Sequence, residues 1–429
     1  MNDTPLSTDA LAYAPPPPLP PVRSPWWKGM LRLAMWIGGG CGCGAVLGLM
    51  LGGEHGVGAA FSAALRVADF RWVALFVVLT IWPQVLIHEA GHALAGLARG
   101  MQPLAFGVGP WRWERSLDRW RLRRGGRVLG LLGFAILVPH GQRGLSRLDQ
   151  CIYLLGGPMA NLATFALMLG LAAHPLVTTS TPFAAFVIGT ASVAALLGLS
   201  NLVPFETQGW RSDGRNIIDL FRRSADAERL RRVRATLALG MAGVRPRDWP
   251  AEALPDLPGD DEEPPNLIGL NAISQVFVHA LDADDACLAR RCARLLAAGH
   301  ARVPEAMRAH LAVNMAIFAA RIERNPDLLA AWRPLCAGGL LDHTALHAWL
   351  DAELAELSGD IDAARAALAT ARALAARVPD AITGVLVDEA LDALESRLDA
   401  RHPAAVDVVG ASSVATLPCS GAAKPEHRD

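Results

Sequence analysis

The chain has 429 residues, of which 52% are hydrophobic and 19% are charged, and its mean hydropathy is positive. This composition is atypical of an entirely soluble protein and indicates that part of the chain lies in lipid, while the length suggests two or three domains. The formal net charge of −1 conceals an uneven distribution, since arginine is concentrated in segments that border the apolar runs.

The first thirty residues are polar and proline-rich, and no signal-peptide cleavage pattern precedes the first apolar run. We therefore expect residues 1–30 to be a disordered cytoplasmic tail. A membrane-embedded domain is predicted for residues 31–224, because this stretch contains four apolar runs of the roughly 20 residues that cross a bilayer. The predicted transmembrane helices are residues 33–52, 72–98, 152–173 and 183–205.

Basic residues indicate on which side of the membrane each connection lies. Arginines crowd the connection after the second span and the segment after the fourth, whereas residues 174–182, between the third and fourth spans, contain no lysine or arginine. By the positive-inside rule, both termini and the connection at residues 99–147 are cytoplasmic. We expect an integral protein of a bacterial cytoplasmic (inner) membrane, in contact with the lipid bilayer.

The second span contains the sequence HEAGH, and His88, Glu89 and His92 are the only ionisable side chains of that span. On a helix, His88 and His92 lie one turn apart on the same face, so both imidazoles can bind one tetrahedral Zn²⁺. Glu89 would act on a water at an open zinc position. A snorkelling pair near a helix end is the structural alternative, but snorkelling favours lysine and arginine and leaves the glutamate unexplained.

Further polar clusters interrupt the other apolar spans, and the predicted orientation places them on the same cytoplasmic side as HEAGH. The sequence GGPMAN at residues 156–161 lies near the start of the third span; NLVP at residues 201–204 ends the fourth, and SDGR follows at residues 212–215. At 1.5 Å rise per residue, HEAGH and GGPMAN both lie about 10 to 15 Å from the cytoplasmic boundary. Taken singly, the glycines could serve helix packing, and the later clusters could end a helix or form a turn.

This series of motifs on successive spans resembles the site-2 protease family of intramembrane zinc metalloproteases, over about a third of the chain. The resemblance implies that His88 and His92 are zinc ligands and that Glu89 is the general base. It further implies that Asp213, of the Asp-Gly pair, is the third ligand and that Asn161 helps to position the substrate.

One departure from the family pattern concerns the third ligand. The family has only a few residues between the NLxP-type proline and Asp-Gly, whereas residues 205–212 intervene here. The longer connection leaves Glu206 and Asp219 as alternatives. We favour Asp213, because Gly214 permits the backbone turn that would aim the carboxylate at the two histidines.

The remaining segments surround this membrane domain. Residues 106–113, which are aromatic and glycine-bearing, predict a hairpin at the membrane interface; the resembled family is thought to hold an extended substrate strand there, and interfacial anchoring is the alternative. Residues 225–265 are expected to form a cytosolic helix and an acidic, proline-rich linker. Residues 266–401 predict a cytosolic α-helical domain, in which residues 352–368 look like a tetratricopeptide hairpin. Residues 402–429 are expected to be a disordered tail.

The expected fold class is mainly α: a polytopic helical membrane protein with about four transmembrane helices, an interfacial hairpin and a cytosolic, tetratricopeptide-like domain. The expected function is zinc-dependent hydrolysis of peptide bonds within or near transmembrane segments of a membrane-spanning protein substrate. A catalytically inactive membrane scaffold, with a protein partner bound to the helical domain, is the alternative, although a structural zinc site does not need Glu89. A metal transporter fits poorly, because the polar groups cluster at one membrane face. Nucleic acid is not expected as a partner.

Overall fold

The computed structural model describes residues 8–17, 27, 57–117, 119–124, 132–139, 145–207, 210–258, 266–339 and 341–401. The predicted first span, residues 33–52, and the predicted C-terminal tail, residues 402–429, lie outside these residues. The described part is mainly helical and also contains an antiparallel sheet.

The helices of the described part are α1 (Thr8–Leu11), α2 (Val57–Val67), α3 (Phe70–Ala98), α4 (Arg147–Leu171), α5 (Pro175–Thr179), α6 (Thr181–Leu202), α7 (Asp213–Phe221), α8 (Ala225–Met241), α9 (Leu267–Asp282), α10 (Ala286–Gly299), α11 (Glu305–Arg321), α12 (Pro326–Trp332), α13 (Thr344–Leu357), α14 (Ile361–Leu374) and α15 (Ala381–Ala400). The strands are β1 (Met101–Val108), β2 (Trp111–Arg115), β3 (Trp120–Arg124), β4 (Gly133–Pro139), β5 (Glu206–Thr207) and β6 (Trp210–Arg211). Short 3₁₀ turns occur at Pro246–Asp248, Ala251–Ala253, His300–Arg302 and Arg333–Cys336.

Three helices of the described part, α3, α4 and α6, are long and apolar enough to cross a membrane. They correspond to the second, third and fourth predicted spans. Helix α4 begins earlier than predicted because Ser146 and Asp149 form a capping box at its start. Helix α6 ends at Leu202, shortly before Pro204, which cannot continue a helix. Helix α3 also leaves large apolar side chains exposed, as a lipid-facing surface does. These include Phe70, Trp72, Leu79, Trp82 and Leu94.

Helices α3 and α4 cross where both carry glycine. A Cβ on Gly91 would lie 2.3 Å from the carbonyl oxygen of Gly156, and a Cβ on Gly156 would lie 2.4 Å from the carbonyl oxygen of Gly91. The two backbones therefore touch, which small residues allow and larger ones prevent. The crossing brings the HEAGH and GGPMAN segments together, and α6 packs against both helices.

The connection between α3 and α4 folds as an antiparallel sheet with the strand order β3-β2-β1-β4. Its β1–β2 hairpin is the predicted one: Val108 pairs with Trp111 across a tight turn that begins at Gly109, whose φ is +59°. The sequence did not predict β4, which pairs with the other edge of β1. Strands β1 and β4 pack along α3, so that Gly133, at the start of β4, lies beside Glu89.

Helices α9 to α15 lie within residues 266–401, for which the sequence predicts a helical domain. Helices α13 and α14 pack against each other, and Gly359 turns the chain between them with a φ of +84°. Large aromatic residues fill the core of the domain, among them Phe277, Phe318, Trp332 and Trp349. The domain also touches the sheet, because the backbone N–H of Leu117 donates to the carbonyl oxygen of Val378 at 3.0 Å.

Two segments that the sequence assigns to a linker and to a disordered tail pack onto this domain. In the linker, Trp249 is buried, and Arg245 forms an ion pair with Asp282 of α9 at 2.6 Å. In the tail, residues 8–17 include α1 and contact α11 and α12. Both segments therefore differ from the prediction, because a proline-rich composition does not reveal the single aromatic residues that anchor them.

Candidate metal centre

Two histidines and one aspartate meet between α3, α4 and α7. The Nε2 atoms of His88 and His92 lie 3.2 Å apart. The carboxylate oxygen Oδ2 of Asp213 lies 3.3 Å from Nε2 of His88 and 3.5 Å from Nε2 of His92. Three ligand atoms around a tetrahedral Zn²⁺, each about 2.0 to 2.1 Å from the ion, are about 3.4 Å apart. The spacing of these three atoms therefore fits one zinc ion.

Hydrogen bonds at the far side of each ring fix which imidazole nitrogen is free. Nδ1 of His88 lies 2.7 Å from Oδ1 of Asn161, and Nδ1 of His92 lies 2.8 Å from the carbonyl oxygen of Tyr153. A carbonyl oxygen only accepts, so both Nδ1 atoms donate, and each Nε2 presents a lone pair to the centre. The assignment for Asn161 is secured by Nδ2, which donates to the carbonyl oxygen and Oε1 of Gln84 at 3.1 Å and 2.9 Å.

Three hydrogen-bond acceptors, namely the two Nε2 atoms and the carboxylate of Asp213, thus converge at a buried position. His88 and His92 are 7% and 6% exposed, so water can relieve little of the repulsion between their lone pairs and the carboxylate. An arrangement of this kind is stabilised by a bound cation.

The long connection before Asp213 closes on itself and does not move the ligand. Strands β5 and β6 pair as a hairpin, and the two ends of the connection are bonded: the N–H of Ser212 donates to the carbonyl oxygen of Phe205, and the N–H of Phe205 donates to Oγ of Ser212, both at 3.1 Å. Oγ of Ser212 also donates to the carbonyl oxygen of Val203 at 2.7 Å and caps α7. Asp213 is therefore held at the end of α6, although the connection is longer than the family pattern.

The two carboxylates that the sequence leaves as alternative ligands form ion pairs with arginine instead. Glu206 pairs with Arg211 at 3.1 Å, and its side chain is 42% exposed. Asp219 accepts from Arg211 at 2.9 Å and from Arg215 at 3.2 Å. Among the described residues, the cluster that could hold a metal contains Asp213 and neither of these two.

Gly214 has a different role from the one predicted. Its φ is not positive, so it does not make an unusual backbone turn. A Cβ at Gly214 would instead lie 1.9 Å from the carbonyl oxygen of Leu202. The residue is therefore glycine because the start of α7 presses against the end of α6, and this contact places Asp213 over the histidines.

Glu89 and Asn161 occupy different sides of the centre. Glu89 is 9% exposed and faces β4, where a Cβ on Gly133 would lie 3.0 Å from its Oε1. Asn161 is fully buried and binds His88, which places its amide behind a ligand. Neither Gln84 nor Tyr153 was predicted from the sequence. Gln84 could have been found as an amide one helical turn before His88, whereas Tyr153 contributes a backbone carbonyl that leaves no sequence signal.

Comparison of the chain with protein-family models, with curated proteins and with solved structures finds no match in any of the three. What the centre can do is therefore inferred from its own geometry, together with the motifs that the sequence carries.

Proposed function

We propose that this chain is an intramembrane zinc metalloprotease of the site-2 protease type, which hydrolyses peptide bonds within or near the transmembrane segments of a membrane-spanning protein. The observation that carries the proposal is the convergence of His88, His92 and Asp213 at the spacing of tetrahedral zinc ligands, on and beside helices apolar enough to cross a membrane. Glu89 next to this cluster favours an enzyme over a scaffold, because a structural zinc site has no use for it.

Different residues of the chain serve different steps of the proposed hydrolysis. A bound zinc ion would supply a water of lowered pKa and a positive charge opposite the carbonyl oxygen of the substrate. The carboxylate of Glu89 takes a proton from the attacking water and delivers it to the amine that leaves. Asn161 and the carbonyl group of Tyr153 hold the two imidazoles in the tautomer that leaves Nε2 free.

Strand β4 offers a place for an extended substrate. In the described part it is an edge strand, with β1 on one side. The carbonyl oxygen of Leu132 accepts from Gly109 and so points toward β1, which turns the backbone groups of Gly133 toward the open edge. A substrate strand that paired with Gly133 would bring a peptide bond next to Glu89, and pairing would expose that bond by removing it from a helix.

A contact between the N-terminal segment and the helical domain supports the proposed topology. The indole N–H of Trp332 donates to the carbonyl oxygen of Tyr13 at 2.8 Å, so the N-terminal segment and the helical domain share one side of the membrane. An even number of crossings must then separate them, and the three described helices with the predicted span at residues 33–52 give that number. We place both segments in the cytoplasm of a cell whose inner membrane holds the protein. Reporter fusions at His174 and at the C-terminus should then give opposite locations, and a shared location would contradict this topology.

Zinc analysis of purified variants tests the ligand assignment. Asp213→Ala should lose both zinc and cleavage of a model membrane substrate, because two histidines hold zinc poorly. The matched controls are Glu206→Ala and Asp219→Ala, which remove carboxylates that pair with arginine. Full zinc content in Asp213→Ala, with loss in either control, would overturn the assignment.

A further inference from the structure

A short N-terminal segment occupies a groove of the helical domain, which lies about 300 residues further along the sequence. Within residues 8–17, Ala10 is 6% exposed, and the ring of Tyr13 packs edge-on against Phe318 of α11, with the ring centroids 5.3 Å apart. The carbonyl oxygen of the same tyrosine accepts the indole N–H of Trp332 of α12 at 2.8 Å. One residue thus supplies both an aromatic and a polar contact.

The groove combines apolar surface with a hydrogen-bond donor, and a bound segment covers the one and accepts from the other. Phe318 and Trp332 are fully buried with the segment in place, so its departure would expose apolar surface. It would also remove the acceptor that Tyr13 provides for the indole N–H of Trp332. An aromatic side chain followed by its own carbonyl group satisfies both needs at once.

We propose that this groove, formed by Phe318 of α11 and Trp332 of α12, is a peptide-binding site that takes a short segment with one aromatic residue, and that residues 8–17 occupy it in cis. The resident segment is short: α1 is a single turn, and Leu11 is 58% exposed. Its advantage over a free peptide is its tether, which supplies an effective concentration in the millimolar range. A cytosolic protein that presents the same chemistry could therefore exchange with it.

The site is independent of the metal centre. Its residues belong to the segment 8–17 and to α11 and α12, whereas the ligands lie on α3 and α7. A failure of this inference would leave the proposed protease function untouched, and loss of protease function would leave the groove.

The test is binding of a fluorescent peptide with the sequence of residues 8–17 to the purified full chain in detergent, followed by anisotropy. Tyr13→Ala weakens the resident segment, so the peptide should bind this variant about tenfold more tightly than wild type. Leu11→Ala is the matched control, because Leu11 lies in the same segment and points to solvent; it should bind the peptide as wild type does. A peptide that carries alanine at the tyrosine position should bind none of the three.

Hydrogen exchange over residues 326–336 gives a second measurement. Tyr13→Ala should lose protection there, and added wild-type peptide should restore it. Trp332→Phe keeps an aromatic side chain, although a smaller one, and removes the indole N–H, so it should lower peptide affinity in the Tyr13→Ala background while the rest of the domain remains protected. Equal peptide affinity for wild type and Tyr13→Ala, or unchanged exchange in Tyr13→Ala, would overturn the proposal.

Discussion

The amide of Asn161 offers a sharp test of how the centre is held. Oδ1 accepts from Nδ1 of His88 at 2.7 Å, and Nδ2 is fixed by two acceptors of Gln84. Asn161→Ala removes all three hydrogen bonds at a fully buried position, so His88 loses the partner that sets its tautomer and ring orientation. Nothing else in this change touches the ligand atoms.

The expected loss can be given a size. Removal of a partner that orients a metal-bound histidine costs about 10- to 100-fold in metal affinity, which is about 1.4 to 2.7 kcal/mol. The penalty of about 1 to 3 kcal/mol for leaving a buried donor unpaired is of the same size. We therefore expect the zinc dissociation constant of Asn161→Ala to rise by one to two orders of magnitude, measured by chelator competition.

Thr164→Val is the matched control, because Thr164 lies one turn further along α4 and its hydroxyl donates to Ala160 of its own helix at 3.0 Å. It should keep the zinc affinity of wild type. If Asn161→Ala also keeps wild-type zinc affinity and loses only cleavage, Asn161 acts on the substrate, as the family resemblance implies, and the reasoning from its contact with His88 is wrong.

Two further predictions concern space in the membrane domain and protonation in the helical domain. Gly157→Ala should abolish zinc binding, because the new Cβ would lie 2.4 Å from Nε2 of His92; Gly170→Ala on the same helix meets nothing within 4 Å and should bind zinc normally. In the helical domain, burial and then the charge of Arg308 lower the pKa of His300 to about 4. Below about pH 6.5 the imidazole of His300 is protonated in the unfolded chain but stays neutral in the folded domain. The free energy of unfolding should therefore fall by about 1 to 2 kcal/mol between pH 7 and 5. Thermal unfolding should show a smaller pH dependence in His300→Gln than in wild type, because His310 and His343, whose pKa values burial also lowers, still titrate in the variant. Equal dependence in both proteins would refute the prediction.

The sequence predicted those parts of the fold that depend on local pattern. Three spans followed from apolar length, and the β1–β2 hairpin followed from its glycine and aromatic residues. Strand β4 was missed because its run, GFAILVP, is short and continuously apolar, and such a run has no period that separates strand from helix.

Contacts distant in sequence explain the other differences. The convergence of His88 and His92 follows from helical spacing, but the approach of Asp213 depends on a hairpin that closes the connection before it. Composition predicted disorder for residues 8–17, where Tyr13 packs on Phe318. A contact of this kind also depends on the groove that receives the aromatic ring. Residues distant in sequence form that groove, so the composition of the segment alone does not predict the contact.

The central claim, that Glu89 performs proton transfer beside a zinc ion in the membrane, is tested most directly by Glu89→Gln. This change keeps the size of a buried side chain and removes its ability to accept a proton. Zinc content of the purified protein and the membrane proteome of cells that carry each form should be measured together, with Glu206→Gln as the control for a carboxylate on the surface. Glu89→Gln should bind zinc as wild type does, and cells that carry it should accumulate uncut membrane proteins. Loss of zinc from this variant, or cleavage at the wild-type rate, would contradict the central claim.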